Sequence, residues 1–313
     1  MLLKYLTAAL LLVALHAPAA SLNLNSGQAL VIDRDTGETL YAKNSDESSP
    51  IASVTKLMMA MVALDEKPDM SEVLVVTRAD VDTLKHSRSR LAVGSKLPRK
   101  DMFQLALMSS ENRAAHALAR TSKGGTREFV LAMNLKAQKL GMNSALFQDP
   151  TGLSPGNRAS PEDLAKLVDA AQRYPLIRKF TTTTSDNVKV GGHVLRYRNS
   201  NPVVGRKGWD VWLSKTGFIN EAGRCVVVGM KTAGRNIAVV LLGAGSSSQR
   251  EQDLLKIRNF YKNEVPRVTA GSPSDQGRHV AKVRPSSDDW KQTTLNVIAV
   301  LDPDSGLRPK RAP

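Results

Sequence analysis

Past residue 20, two short runs with strand-like alternation come first. Residues 29–33 and 39–43 flank Asp35-Thr36-Gly37, which is turn chemistry, so the pair predicts a β-hairpin. The pattern then changes. Leu57-Met58-Met59-Ala60-Met61-Val62-Ala63-Leu64 is apolar nearly all round, which predicts a buried central helix running from Ser53 to about Asp65. From Glu72 to about Lys179 the spacing is mainly helical. Residues 101–108 and 113–120 form two such stretches, and 126–140 forms a third that stops at Gly141. Another begins with Ser160 as N-cap and Pro161 at the first helical position and runs to about Arg173. Past Phe180 strand patterns return. Residues 188–190 and 194–197 flank Gly191-Gly192, a hairpin signal. Residues 211–216, 224–231 and 237–242 read as three adjacent antiparallel strands, and 246–261 as a last helix. The alternation in these strands is imperfect, as expected of a sheet covered on both faces.

These elements assemble into an α/β (α+β) domain over residues 20–262. A five-stranded antiparallel sheet flanked by helices, about 28–66 and 205–262, is split by an inserted helical subdomain at about 67–180. The ends differ from this body. Lys4, an apolar run from Leu6 to Leu15 and Ala17-Pro18-Ala19 make residues 1–19 a signal peptide, which implies export to the periplasm. The run is too short to span a membrane comfortably. Residues 263–313 are rich in Pro, Ser and charge and read as a flexible tail.

Charge narrows the partners. The 313 residues carry a formal net charge of +15, and loss of Lys4 with the signal leaves 43 basic against 29 acidic side chains, +14. Such an excess implies anionic surroundings. Nucleic acid fits poorly, because aromatics are 4%, the chain is exported and no nucleic-acid motif is present. Peptidoglycan or an anionic membrane surface, met peripherally, fits better, and a basic solvated surface without a partner is the bland alternative. Cys225, the single cysteine, excludes an internal disulfide and reads as a buried hydrophobe. The histidines show no metal-ligand spacing, so no metal and no cofactor is expected.

The candidate chemistry lies in three short motifs. Ser53-Val54-Thr55-Lys56 places a serine and a lysine one helical turn apart on one face. A serine hydroxyl is a poor nucleophile unless a base takes its proton, and a neutral amine can serve. Ser110-Glu111-Asn112 follows 57 residues after Ser53, at a junction between two helices, and Lys215-Thr216-Gly217 a further 105 residues on. Singly, each motif is weak: a solvated lysine, a helix cap, a strand end. Jointly and in this order they are the pattern of active-site serine penicillin-binding proteins and class A β-lactamases.

With the surrounding segments Pro50-Ile51-Ala52-Ser53, Leu105 through Ala115, Asp149-Pro150-Thr151-Gly152-Leu153, Tyr197-Arg198-Asn199 and Lys215-Thr216-Gly217-Phe218, the chain from about Ala29 to Tyr261 resembles the low-molecular-mass penicillin-binding proteins of the serine D-alanyl-D-alanine peptidase family, and among them the endopeptidase type. That resemblance implies a β-lactamase/D,D-peptidase-like fold, cross-linked peptidoglycan as substrate and covalent inhibition by β-lactams. It implies Ser53 as the acylated nucleophile, Lys56 as its base and Ser110 as a proton relay. Asn112, Lys215, Thr216 and Gly217 would bind substrate, and the backbone N–H groups of Ser53 and Phe218 would form the oxyanion hole.

Alternatives within this reading stay open. The motifs do not separate an endopeptidase from a D,D-carboxypeptidase, which attacks the same carbonyl. A β-lactamase is disfavoured because no Glu-x-x-x-Asn occurs to supply a deacylating glutamate. A non-catalytic wall-binding module would account for the charge but not for Ser53, Lys56 and Ser110 together. Ser185-Asp186-Asn187, a second Ser-x-Asn in a threonine-rich, strand-like stretch, reads as a decoy.

Overall fold

The structure is a computed structural model that describes residues 22–263. The expected signal peptide, 1–19, and the expected tail beyond its first residue lie outside the described residues. Among the described residues no helix is long and apolar enough to cross a membrane.

The hairpin forms as expected, β1 (Gln28–Asp33) with β2 (Thr39–Lys43). A two-residue strand β3 (Ser49–Pro50) leads to a 3-10 turn, Ala52–Thr55, and then to α1 (Lys56–Asp65). Eight of the ten α1 residues, Lys56 to Ala63, are buried. The insertion carries β4 (Val73–Val75), β5 (Lys96–Pro98), α2 (Arg99–Met108), α3 (Asn112–Arg120), α4 (Gly125–Lys139), β6 (Arg158–Ala159), α5 (Pro161–Ala171) and α6 (Pro175–Thr182). A small hairpin, β7 (Ser185–Val190) and β8 (His193–Arg198), turns on Gly191 and Gly192, both at positive φ. The last strands are β9 (Asp210–Ile219), β10 (Gly223–Thr232) and β11 (Arg235–Ala244), followed by α7 (Ser247–Asn263).

The central sheet is antiparallel with order β2-β1-β11-β10-β9, so the first and last segments of the domain share one sheet and β9 is its edge. Strand alternation divides its side chains between two layers. Leu30, Val227, Ala238 and Val240 face α1 and the inserted helices, while Val31, Val226, Val228, Val239 and Leu241 pack on Leu254 and Ile257 of α7. On β9, Leu213 and Ile219 belong to the first layer, and Lys215, two residues from Leu213, shares their parity. Both faces are therefore dry, which explains the blurred alternation.

Three details differ from the sequence expectation. Ser53 lies in a 3-10 turn that opens at Ala52, itself at a left-handed φ of 47°, and α1 starts only at Lys56. The Lys215-Thr216-Gly217 triplet lies inside β9 rather than at its end, since the strand continues to Ile219. The threonine-rich stretch after Phe180 begins as the end of α6: Thr182 and Thr183 hydroxyls bond back to the Arg178 and Lys179 carbonyls, holding helical geometry despite β-branching.

Candidate active site

Ser53, Lys56, Ser110, Asn112, Lys215 and Thr216 converge where the start of α1, the α2–α3 junction and edge strand β9 meet. Lys56 Nζ lies 2.8 Å from Ser53 Oγ, 2.7 Å from Asn112 Oδ1 and 2.6 Å from the Thr151 carbonyl oxygen. Its side chain is fully buried. Burial pushes its pKa down to about 7, against the opposing pull of Asp149, Glu111 and Asp82, none of which contacts it. The two carbonyl-type oxygens can only accept, so they take two N–H groups of Lys56. What remains at nitrogen points at Ser53: a third N–H when the amine is charged, a lone pair when it is neutral. In the neutral state Ser53 donates its hydroxyl proton toward Lys56, the geometry required of a nucleophile and its base.

Ser110 sits at φ 62° between α2 and α3, a left-handed conformation that is costly for serine. The turn is fixed on both sides. Glu111 caps α3 by accepting from the Arg113 N–H at 3.1 Å, and Ser109 Oγ donates to the Arg198 carbonyl at 2.8 Å. Ser110 Oγ thereby meets Lys215 Nζ at 2.9 Å. Lys215 is buried as well, and burial, then the nearby Lys56 and Arg250, hold its pKa well below that of a free lysine. Thr216 Oγ1 donates to Ser200 Oγ at 2.7 Å. Buried basic side chains thus crowd this end of the cleft, and Arg250 is one of them, with an Nε that finds no hydrogen-bond partner. Such a cluster suits an anionic group on a ligand.

Gly217 has a different task from its neighbours. A Cβ there would lie 2.8 Å from the Ile51 carbonyl oxygen and 3.1 Å from the Ser53 nitrogen. Gly152 presses on the same segment from the 149–157 loop, where a Cβ would lie 2.0 Å from the Ala52 oxygen. Two glycines therefore let backbone approach backbone on both sides of the serine. We expect Gly152→Ala, which also forces a side chain to φ 86°, to lower the melting temperature and slow acylation of Ser53 together. Calorimetry and penicillin labelling would check it, and a wild-type melting temperature would contradict it.

Several residues of the site carry no motif signal. The Thr151 carbonyl is aimed by Asp149, whose carboxylate accepts from the N–H groups of Thr151, Gly152 and Ser154 at 2.6, 2.8 and 2.9 Å. Asn157, fully buried, joins this loop to the turn that carries Ser53 by donating to Thr55 Oγ1 at 3.1 Å and to the Asp149 carbonyl at 2.8 Å. Asn112 Nδ2 donates to Ser87 Oγ at 2.9 Å, which orients its amide so that Oδ1 faces Lys56. Ser185-Asp186-Asn187 is spent elsewhere, at the start of β7, where Asp186 accepts from Gln104. Cys225 is buried with its thiol pushed up to about 11 by desolvation, which leaves it unreactive.

A family model described as D-alanyl-D-alanine carboxypeptidase matches residues 14–246. The chain is 42% identical over 249 residues to a D-alanyl-D-alanine endopeptidase of Pseudomonas aeruginosa, covering 79% of this chain and 80% of that protein. It is 38% identical over 268 residues to a D-alanyl-D-alanine endopeptidase of Escherichia coli, covering 85% and 86%. Among solved structures it is similar to the Streptomyces K15 DD-transpeptidase, at 26% identity with a TM-score of 0.70, covering 76% of this chain and 97% of that one.

Proposed function

The chain belongs to the D-alanyl-D-alanine carboxypeptidase family of serine peptidases, and from that premise we propose that it is a D,D-endopeptidase that hydrolyses D-alanyl cross-links of peptidoglycan through an acyl-enzyme on Ser53. The observation that carries the mechanism is the 2.8 Å approach of a fully buried Lys56 amine to Ser53 Oγ. The endopeptidase assignment rests on likeness to proteins named for that activity over 80% and 86% of their own lengths. A D,D-carboxypeptidase is the second reading, since both activities begin at the same carbonyl.

In the proposed sequence, neutral Lys56 takes the Ser53 proton as Oγ attacks the D-alanyl carbonyl carbon. The developing oxyanion is met by the N–H groups of Ser53 and Phe218, whose removal is worth a few kcal/mol in such sites. Asn112 Oδ1 and the Thr151 carbonyl hold the resulting ammonium. Collapse breaks the C–N bond, and the proton that Lys56 accepted passes through the Ser110 hydroxyl to the leaving amine, which returns Lys56 to the neutral form while Lys215 holds Ser110 in place. Lys215 and Thr216 anchor a substrate carboxylate beside Arg250, and Gly217 keeps β9 close to the serine. Water then attacks the ester with Lys56 again as base, returning the free serine and a carboxylate. A β-lactam acylates Ser53 by the same first step.

The peptidase unit is proposed to span 20–262. Residues 1–19 would direct export to the periplasm, and the positive charge would favour residence on the anionic wall or membrane surface. Purified cross-linked muropeptide dimers and pentapeptide monomers, read by mass spectrometry, test the activity. Conversion of dimers to monomers is the expected result. Loss of only a terminal D-Ala from the pentapeptide would replace it with the carboxypeptidase reading.

A further inference from the structure

A cross-linked substrate has two peptide arms, and the chemistry above engages only the scissile bond and the one carboxylate held by Lys215 and Thr216. Beside Ser110 lies a cavity of about 310 Å³ that the proposed mechanism leaves unused, lined by Arg88, Ser89, Arg90, Ser109, Glu111 and Tyr197. Tyr197 is 1% exposed, yet its hydroxyl has no hydrogen-bond partner. An orphaned buried hydroxyl is costly, which marks a position where a partner is supplied from outside the chain. The Arg90 guanidinium stacks 3.7 Å above the Tyr197 ring and donates to the Arg196 carbonyl at 2.8 Å, which leaves further N–H groups at its edge. Arg88 is exposed, and among the described residues neither guanidinium has an ion-pair partner.

We propose that this cavity binds a carboxylate on one arm of the cross-linked peptide, with Tyr197 Oη–H, Arg90 and Arg88 as donors. The inference rests on the endopeptidase reading and sharpens its substrate: an anionic peptide rather than any D-alanyl amide. Glu111 faces the same space, but its Oε1 is engaged at the start of α3 by the Arg113 N–H. Two guanidinium groups against one committed carboxylate leave the cavity cationic. One wall is already fixed, since Ser109 Oγ is tied to the Arg198 carbonyl at 2.8 Å, whereas Tyr197 Oη is closed to solvent and meets a ligand oxygen only after a neighbouring side chain shifts.

Binding separates this idea from catalysis. In a Ser53→Ala background, titration calorimetry with an uncleaved muropeptide dimer gives Kd directly. Adding Tyr197→Phe or Arg88→Gln should weaken binding about tenfold each, the usual effect of losing a hydrogen bond to a charged group. A dimer with its free carboxylates amidated should bind parent and variants alike. Tyr197→Phe should keep the parent melting temperature, since the hydroxyl bonds to nothing in the free chain. Equal Kd values throughout, no measurable binding to the parent, or an equal loss with the amidated dimer would each overturn the proposal. Failure of the wild type to cleave dimers would instead overturn the endopeptidase reading, and the calorimetry would still decide the cavity.

Discussion

Ser53→Ala should remain folded and take up no label from a fluorescent penicillin, with peptidase activity down by on the order of 10⁶-fold, as when a hydrolase loses its nucleophile. The hydroxyl is placed for chemistry rather than for packing. Oγ touches only Lys56 Nζ at 2.8 Å and the Thr151 carbonyl at 3.4 Å, and Lys56 retains its bonds to Thr151 and Asn112 without it. Neither nearby hydroxyl can stand in. Ser110 Oγ is bonded to Lys215 rather than to Lys56, and Thr55 Oγ1 is occupied by Asn157 in the buried interior. The backbone of the 3-10 turn is held by Gly152 and Gly217 from either side, so the melting temperature should move by less than about 1 kcal/mol of stability allows. Stoichiometric labelling of Ser53→Ala would sink the assignment of the nucleophile, and a collapsed fold would reassign Ser53 to structure.

The parts of this site that the sequence displayed are those encoded at short range. A serine and a lysine three residues apart had to share a face, whether the turn between them was 3-10 or α, and the 2.8 Å contact follows. Ser110 was legible because two helical periodicities met there. The supports were not, because they act through groups that every residue carries. Thr151 contributes a carbonyl, and Asp149 and Asn157 only aim it, so no side-chain pattern announces them. Arg250 comes from α7, far along the chain, and only the closure of the sheet brings it near Lys215. The misjudged end of β9 has a specific cause. A glycine in a strand reads as an ending, whereas Gly217 is interior and marks the close approach of another backbone.

Lys56→Met should slow acylation by about 10⁴-fold, the upper range for loss of a general base, and should abolish the pH dependence it leaves behind. In the wild type, only the neutral amine can receive the Ser53 proton. With burial lowering the Lys56 pKa to about 7, the rate of penicillin acylation should rise tenfold per pH unit below that value and level off above it. The same shift has a stability consequence of defined sign. Between about pH 7 and the ordinary lysine value of 10.5, the folded chain binds fewer protons at this site than the unfolded chain, so stability should increase with pH across that window. Lys215, shifted in the same direction, should add to the rise. Lys56→Met removes the first contribution and, with the Lys56 repulsion gone, leaves the burial-driven part of the second, so the increase should shrink without vanishing. A rising acylation limb retained in Lys56→Met would mean that another group takes the proton, and the buried amine at 2.8 Å from Ser53 would then serve only to orient it.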